Sequence, residues 1–326
     1  MSQSMSNTPT ISQIKKQIKT TPIQFLTHNQ NGQTLPDFWL NDWLLFVIQK
    51  PNSFLFSNPD YQLTDDEYQN YQAGIEQMQA GTPLAYLLGY QEFWSLKFLV
   101  NEYTLIPRPD SEVLVEQVLA WIQQNQNSLS KNNQPSTANP TQYKLLDLGT
   151  GTGCLAISLA YELDKMLPKT WQVTAVDFCP NALNIAKQNA QLNNITNIQF
   201  MQSDWFANIP KPNQENNQEN NQKHDKFSVI ISNPPYIDKA DSHLTALTAE
   251  PITALVADNQ GLADIEIIIN HAPDYLQQGG LLAIEHGFEQ DRAVRELLLN
   301  QGWQNIHTIK DYGGNERVTM AILSSK

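Results

Sequence analysis

The feature that most constrains the fold of this chain is an alternation of apolar, strand-like runs with helical patterns in its C-terminal part. Strands are predicted at residues 143–148, 172–177, 198–202, 227–232, 280–285 and 318–323. Strands that alternate with helices along the chain pair in parallel through right-handed crossovers, and the helices cover both faces of the sheet. Residues 109–326 are therefore predicted to form an α/β domain with a mostly parallel sheet.

The N-terminal part of the chain has helical signals and no convincing strand. Thr64 and Glu67 have the spacing of a capping box, apolar residues recur at helical spacing after them, and Gly81 follows as a stop signal. Residues 38–48 form a second apolar segment with helical character. A small all-helical domain is predicted over residues 1–89.

Between these two parts, residues 90–108 are predicted to form a β-hairpin linker. Aromatic and β-branched residues dominate from Glu92 to Ile106, and Asn101-Glu102 lies between two such runs. The turn of the hairpin is therefore placed at Asn101-Glu102.

The polar surface of this chain comes from amides more than from charges. Charged residues make up only 16% of the 326 residues, whereas the chain contains 33 Gln and 31 Asn. Two stretches rich in amides, at residues 123–142 and 208–226, cannot bury enough apolar area to offset the entropy of ordering them. Both are predicted to be flexible insertions that carry no chemistry.

Charge and cysteine content argue against several classes of function. The formal net charge of -13 opposes avid binding to a phosphate backbone, so no direct nucleic-acid partner is expected. Cys154 and Cys179 lie 25 residues apart among only six histidines, which disfavours a disulfide framework and a zinc site, and no metal is expected. The most apolar run, residues 43–48, is far shorter than the ~20 residues of a membrane helix. We expect a cytoplasmic protein with no membrane partner.

The first candidate functional motif is a glycine-rich turn between a strand and a helix. An apolar strand runs into Gly149-Thr150-Gly151-Thr152-Gly153, and an amphipathic helix follows. Glycine permits positive φ and close approach of a ligand, here at the carboxyl end of a strand where α/β sheets bind ligands. The spacing differs from the Gly-x-Gly-x-x-Gly/Ala fingerprint of dinucleotide sites. Glycines alone are weak evidence, and a tight strand-to-helix turn without a ligand is the less favoured alternative.

Two further strand ends carry candidate binding residues. Asp177 ends the next strand, 24 residues after Gly153, where a carboxylate can accept hydrogen bonds from ribose hydroxyls. After the third strand, Asp204 can accept from an adenine amino group while Trp205 flanks the ring. A purely structural role, as a polar strand end for Asp177 and as a core aromatic for Trp205, is the alternative.

The second candidate motif, Asn233-Pro234-Pro235-Tyr236, follows the buried strand at 227–232. Prolines fix φ and have no N–H, so the carbonyls around them point outward as acceptors. With the Asn233 carboxamide and an aromatic ring, such a site matches a planar –NH2 group. An amide nitrogen is a poor nucleophile, and acceptance of its two N–H groups by Asn233 Oδ1 and the Pro234 carbonyl would align its lone pair and stabilise developing positive charge. No dedicated general base is expected.

These motifs resemble known methyltransferases. The glycine turn, preceded by Asp147, resembles motif I of the S-adenosylmethionine-dependent methyltransferases, and Asn-Pro-Pro-Tyr resembles the motif of those that modify amide or exocyclic amine nitrogens. Five more stretches, at residues 89–94, 105–112, 250–262, 279–290 and 311–318, resemble the protein-(glutamine-N5) methyltransferases that modify release factors. The similarity covers roughly residues 80–326.

The resemblance implies a Rossmann-like class I fold with a seven-stranded sheet, and S-adenosylmethionine as cofactor. It implies that the substrate is the glutamine of the Gly-Gly-Gln motif in class 1 peptide chain release factors, methylated in support of translation termination, and that the helical domain helps to grip that substrate. The implied catalytic residues are Asn233, Pro234, Pro235 and Tyr236. The implied cofactor-binding residues are Gly149, Thr150, Gly151, Thr152, Gly153, Asp177, Trp205 and Asn233, and in the family the acid at Asp147 lies near the methionine amino group.

One departure from the family is a conservative one. The family usually has Glu-Thr-Glu after Ile-Pro-Arg-Pro, whereas this chain has Asp110-Ser111-Glu112.

Three other functions remain open from the sequence. They are a glutamine methyltransferase of a large-subunit ribosomal protein, an adenine-N6 nucleic-acid methyltransferase, and a cofactor-binding module without catalysis. The roles of Arg108 and of the strand-end pair Glu285-His286 also stay open, although a structural role is favoured for the pair. Cys154 is interpreted as a packing residue, because no base is evident beside it in sequence.

Overall fold

The computed structural model describes residues 8–20, 35–132, 143–168, 170–212 and 226–324. The chain forms two compact units, one of residues up to Gly89 together with His243–Ala249, the other of Tyr90–Ser242 and Glu250–Lys326. Within the described ranges, no helix is long and apolar enough to cross a membrane.

The first unit is built from helices packed around small apolar cores. The Trp43 ring packs directly against the backbone of Gly74. A Cβ at Gly74 would lie 2.1 Å from that ring, so a residue without a side chain is needed at this contact. The predicted capping box is confirmed: Glu67 N donates to Thr64 Oγ1 at 3.2 Å, and Thr64 N donates to Glu67 Oε2 at 2.8 Å. The helices are α1 (Ile11–Thr20), α2 (Asp37–Ile48), α3 (Phe54–Ser57), α4 (Asp65–Gln79) and α5 (Leu84–Leu88).

In the part of the second unit that the structure describes, there are a two-stranded hairpin, five helices of ten or more residues and a seven-stranded sheet. The strands are β1 (Tyr90–Phe93), β2 (Leu96–Leu99), β3 (Tyr143–Leu148), β4 (Trp171–Asp177), β5 (Ile198–Gln202), β6 (Phe227–Ser232), β7 (Leu276–Glu285), β8 (Gln304–Lys310) and β9 (Glu316–Ile322). The helices are α6 (Glu112–Asn132), α7 (Cys154–Met166), α8 (Pro180–Leu192), α9 (Ala263–Tyr275) and α10 (Asp291–Asn300), with 3-10 turns at Pro109–Ser111 and Ile252–Ala254. A short turn, Asp258–Gly261, precedes α9.

The sheet has the strand order β5-β4-β3-β6-β7-β9-β8. All neighbours pair in parallel except β7 with β9 and β9 with β8, which are antiparallel. The predicted α/β fold with a mostly parallel, seven-stranded sheet is confirmed. Strand order reverses between β3 and β6, which is the position where open α/β sheets form a ligand-binding crevice.

Helices cover both faces of the sheet, which explains why its central strands are apolar on both sides. Every residue of β6 is buried. One core joins the sheet to the hairpin, α6, α7 and α8 through residues such as Phe98, Val118 and Leu159. The other joins it to α9 and α10 through Ile268 and Leu298 among others. Burial on both faces is typical of parallel sheets.

The hairpin turn lies at Trp94-Ser95, so its prediction at Asn101-Glu102 is wrong. Trp94 and Ser95 both have positive φ, +53° and +58°, as a tight two-residue hairpin turn requires. Neither residue type favours this conformation. Tertiary contacts stabilise it instead, because Trp94 N donates to Glu112 Oε1 at 2.7 Å and Trp94 Nε1 donates to Glu162 Oε1 at 3.2 Å.

The prediction of flexible insertions is wrong where the structure describes them. Helix α6 continues to Asn132, so residues 123–132 are helical, and glutamine is a good helix former. In the second stretch, Ile209 is buried in the core and Asn208 N donates to Ser203 Oγ at 3.0 Å. Residues 133–142 and 213–225 lie outside the described residues.

Candidate active site

A cleft of about 240 Å³ opens at the carboxyl ends of β3, β4 and β6. Nine of the sequence-predicted site residues line it: Gly149, Thr150, Gly151, Thr152, Asp177, Asp204, Trp205, Asn233 and Pro235. Gly153, Pro234 and Tyr236 do not line this cleft. All lining residues belong to the second unit.

Two glycines of the turn are required for different reasons. Gly149 has a φ of +71°, and a Cβ there would lie 3.4 Å from the Trp205 ring, so this position keeps the wall of the cleft close to the aromatic. Gly153 has a φ of +82°, and a Cβ there would lie 2.8 Å from Ile157 Cδ1 and 3.2 Å from Ala186 Cβ. Gly153 therefore serves helix packing, which explains why it does not line the cleft.

Asp147 lies at the base of the turn and is completely buried. Burial raises the pKa of its carboxyl to about 7, although Thr150 Oγ1, which donates to Asp147 Oδ2 at 2.6 Å, acts in the opposite direction. Asp147 Oδ1 has no hydrogen-bond partner among the described residues. An unpaired buried acceptor is costly, and its presence beside the cleft fits a cationic or N–H group of a ligand.

The Asp177 carboxylate is held by the backbone on both sides. Gly151 N donates to Asp177 Oδ2 and Cys179 N donates to Asp177 Oδ1, each at 2.8 Å. Burial raises its pKa, and these two amides oppose the shift. Each oxygen keeps a second lone pair, so the carboxylate can also accept from ligand hydroxyls.

Two aromatic side chains, Phe178 and Trp205, also line the cleft. Trp205 was predicted, and its loop is fixed by a hydrogen bond from Ser203 Oγ to Trp205 O at 2.7 Å. Asp264 also lines the cleft and lies near the Trp205 side chain, which lowers the pKa of its carboxyl against the effect of burial. Phe178 was missed, although it is 67% exposed and lines the cleft directly after Asp177. An apolar residue immediately after a strand-end acid was the available signal.

Asn233 reaches the cleft from the end of β6 with a defined orientation. Its Nδ2 donates to Ser111 Oγ at 3.2 Å, which leaves Oδ1 as the group available to a ligand. Ser111 is buried at the end of the 3-10 turn Pro109–Ser111 and also lines the cleft. The sequence contained no signal for this pairing, because the two residues are 122 positions apart.

Tyr236 has its hydroxyl turned towards buried Glu285. Tyr236 OH donates to Glu285 Oε1 at 3.3 Å, and burial together with the nearby carboxylate raises the tyrosine pKa. The backbone of Tyr236 is held as well, because Gln290 Nε2 donates to Tyr236 O at 2.9 Å. A Cβ at Gly261 would lie 2.0 Å from the same carbonyl, so only glycine fits there.

Arg108 and Cys154 also line the cleft. Arg108 forms an ion pair with Glu250, whose other oxygen accepts from Ile106 N at 3.0 Å. This pair therefore fixes the segment that enters the 3-10 turn. Burial raises the pKa of the Cys154 thiol to about 12, which argues against a nucleophilic role.

Comparison with known proteins places this architecture in one family. Residues 140–317 match a family described as a methyltransferase domain, and residues 40–89 match one described as the PrmC N-terminal domain. The chain is 41% identical over 279 residues to the release factor glutamine methyltransferase of Aliivibrio fischeri, covering 85% of this chain and 87% of that protein. This chain belongs to the release factor glutamine methyltransferase family.

Other family members are similarly close. The release factor glutamine methyltransferase of Vibrio cholerae is 41% identical over 293 residues, which are 89% of this chain and 91% of that protein. The protein of Escherichia coli is 40% identical over 276 residues, covering 84% and 87%. The protein is thus a methyltransferase, and its cofactor is S-adenosylmethionine.

The residues of the cleft fit this cofactor. Asp177 offers a carboxylate to ribose hydroxyls, and Phe178 and Trp205 offer aromatic side chains to a base. Asp147 does not line the cleft, but it lies two residues before the cleft-lining Gly149 and has an unpaired carboxyl oxygen. The glycine turn lets a ligand approach the backbone between them.

Proposed function

We propose that this protein transfers a methyl group from S-adenosylmethionine to the side-chain amide nitrogen of the glutamine in the Gly-Gly-Gln motif of class 1 peptide chain release factors. The names of its relatives support a release factor as the substrate. The same relatives favour neither a ribosomal protein nor adenine in nucleic acid as the acceptor. The single observation that carries the amide chemistry is the Asn233 carboxamide, which presents Oδ1 to the cleft because Nδ2 is bound to Ser111.

The proposed mechanism relies on alignment of the substrate amide nitrogen with the methyl group of the cofactor. When bound, S-adenosylmethionine supplies an electrophilic methyl group on its sulfonium. Asn233 Oδ1 accepts one N–H of the substrate amide, and the carbonyl of Pro234, which lies between the cleft-lining residues Asn233 and Pro235, accepts the other. These two bonds turn the nitrogen lone pair towards the methyl group. The same two oxygens stabilise the positive charge that develops on nitrogen. The methylated nitrogen is strongly acidic and loses its proton to water, so no general base is required.

The cofactor-binding residues have separate tasks in this proposal. Asp177 holds the ribose, Trp205 and Phe178 flank the adenine, and the turn from Gly149 to Gly153 provides a close-fitting backbone surface. Asp147 provides the acceptor for the amino group.

The helical unit and the cellular location complete the proposal. We propose that residues 1–89 help to grip the release factor, which is supported by the match of residues 40–89 to a family-specific N-terminal domain. A cytoplasmic location follows from a release factor as substrate. Hydrogen exchange of the complex is expected to show protection in residues 37–88.

The decisive test is intact mass and fragment mapping of a purified class 1 release factor after incubation with this protein and S-adenosylmethionine. We expect a single methyl addition, about 14 Da, on the Gly-Gly-Gln glutamine. The variant Asn233→Ala is expected to lose transfer by at least about a hundredfold while it still binds the cofactor, since Asp177, Trp205 and the glycine turn, which make the other cofactor contacts, are unaltered. An unmodified release factor combined with a methylated ribosomal protein would contradict the proposal.

A further inference from the structure

A short chain of buried polar side chains lies behind the Asn-Pro-Pro-Tyr motif. Ser111 is 2% exposed and Glu285 is 1% exposed. Asn233 Nδ2 donates to Ser111 Oγ at 3.2 Å, Tyr236 OH donates to Glu285 Oε1 at 3.3 Å, and the Ser111 hydroxyl lies near enough to the Glu285 carboxyl to lower its pKa. The chain thus connects the first and last residues of the motif through two residues outside it.

The chemistry of these groups gives the chain a direction. Ser111 Oγ accepts from Asn233 Nδ2, so one of its lone pairs faces Asn233 and its single hydrogen is free to point elsewhere. The neighbouring acceptor for that hydrogen is the carboxyl of Glu285. A lone pair binds the NH2 end of a carboxamide and rejects the oxygen end. The carboxamide of Asn233 is thereby held with Oδ1 outward.

The orientation matters because the two ends of a carboxamide are similar in size and shape, whereas one end is a hydrogen-bond acceptor and the other a donor. If the Asn233 side chain rotated by half a turn, its NH2 would face the N–H groups of the incoming amide. Two donors cannot hydrogen-bond to each other, so the amide nitrogen would lose one of its two acceptors.

We propose that Ser111 and Glu285 are positioning residues that hold Asn233 Oδ1 towards the substrate amide and so make the cleft select an –NH2 group. This inference rests on the proposed function for its kinetic consequence, although the orientation itself is independent of the substrate.

A structural role alone leaves part of this arrangement unexplained. Burying a carboxyl is costly, and Glu285 Oε2 has no hydrogen-bond partner among the described residues. Arg317, whose charge lowers the pKa of Glu285, is bound to Asp311 instead, with Nη2 to Oδ2 at 3.0 Å. A strand end that needed only packing would be served by an apolar side chain, whereas the direction of the Ser111 hydrogen needs an acceptor.

The kinetic test compares three serine variants. Ser111→Ala is expected to lower kcat for release factor methylation by about tenfold, with the KM for the release factor and the Kd for cofactor within about twofold. Ser111→Thr keeps the hydroxyl and is expected to recover most of the loss. The matched control is Ser158→Ala, since Ser158 is equally buried but lies in α7 and does not line the cleft.

The second test measures the orientation of the Asn233 carboxamide in the absence of substrate. The side-chain ¹⁵N–¹H2 resonance of Asn233 is identified in the spectrum of the full-length protein by its loss in Asn233→Asp. Ser111→Ala is expected to shift this resonance because it removes the acceptor for Nδ2. Glu285→Gln is expected to shift it less, because it keeps that acceptor and replaces the carboxyl beside Ser111 with an amide that can also donate. Thermal unfolding of each variant checks that it is folded.

The outcomes separate the two proposals. A resonance that does not move in Ser111→Ala, or full kcat in that variant, overturns the positioning role. If the wild-type protein methylates no release factor while the resonance moves as expected, the proposed function fails and the orienting chain stands.

Discussion

At the scale of single residues, Asp177 has two roles: it holds the backbone around it in place, and it lines the cleft. Its two oxygens accept from the amides of Gly151 and Cys179, which join the glycine turn to the start of α8. The same carboxylate lines the cleft. The sequence placed an acid at this strand end, but it contained no information on the two amides that hold it.

Substitution of Asp177 tests both of these roles. Asp177→Ala is expected to weaken cofactor binding by at least about tenfold, because it removes a charged acceptor for the ribose and leaves two amides unpaired. Isothermal titration with S-adenosylmethionine measures the change. The isosteric variant Asp177→Asn separates loss of charge from loss of shape, and an unchanged Kd in both variants would contradict the ribose assignment.

At the scale of elements, helix α8 is tied to two other segments by one buried side chain. Asn189 Oδ1 accepts from Leu99 N at 2.7 Å, and its Nδ2 donates to Leu99 O at 3.1 Å and to Thr152 O at 2.9 Å. The side chain thus joins the hairpin strand β2 to the glycine turn. Nothing in the amide-rich sequence distinguished Asn189 from its many neighbours of the same type.

Removal of this side chain is expected to destabilise the second unit. Asn189→Ala leaves three backbone groups without their partner, so we expect the free energy of unfolding to fall by about 3 kcal/mol in urea denaturation. The matched control is Asn193→Ala in the residue after α8, which donates to Lys97 O at 2.9 Å in a more exposed position. A larger loss in the control than in Asn189→Ala would argue against the bridging role.

Element prediction failed where distant contacts decided the local structure. The hairpin turn at Trp94-Ser95 depends on Glu112 and Glu162, which lie 18 and 68 residues away. Helix α6 continues through a stretch whose composition indicated a flexible insertion. The capping box at Thr64 was predictable because both of its partners lie within one turn of the chain.

At the scale of the whole molecule, two buried carboxyls couple stability to pH. Burial raises the pKa of Asp147 and of Glu285 to about 7, from usual values of 3.8 and 4.5. The folded state therefore binds more protons than the unfolded state between these values. Stability from this source is greatest at low pH and falls as the pH rises towards about 7. Buried His286 has a lowered pKa and acts in the opposite direction.

The variant Glu285→Gln isolates one of these contributions. Its free energy of unfolding relative to wild type is expected to increase as the pH rises from about 5 to about 8, by at most about 3 kcal/mol. Urea denaturation of the protein without cofactor at several pH values measures this difference. A difference that stays constant with pH would show that Glu285 is not the group that titrates.

The class of fold and the position of the main motifs were predictable from the amino-acid sequence. Periodic burial is a local property, so the alternation of strands and helices predicted the α/β sheet, and strand ends predicted where Gly149, Asp177, Trp205 and Asn233 come together. Only the tertiary structure decided how these groups are oriented. Ser111, Glu285 and Asn189 act through partners far away in the chain, and hydrogen-bond direction between such residues depends on three-dimensional packing that no local pattern encodes.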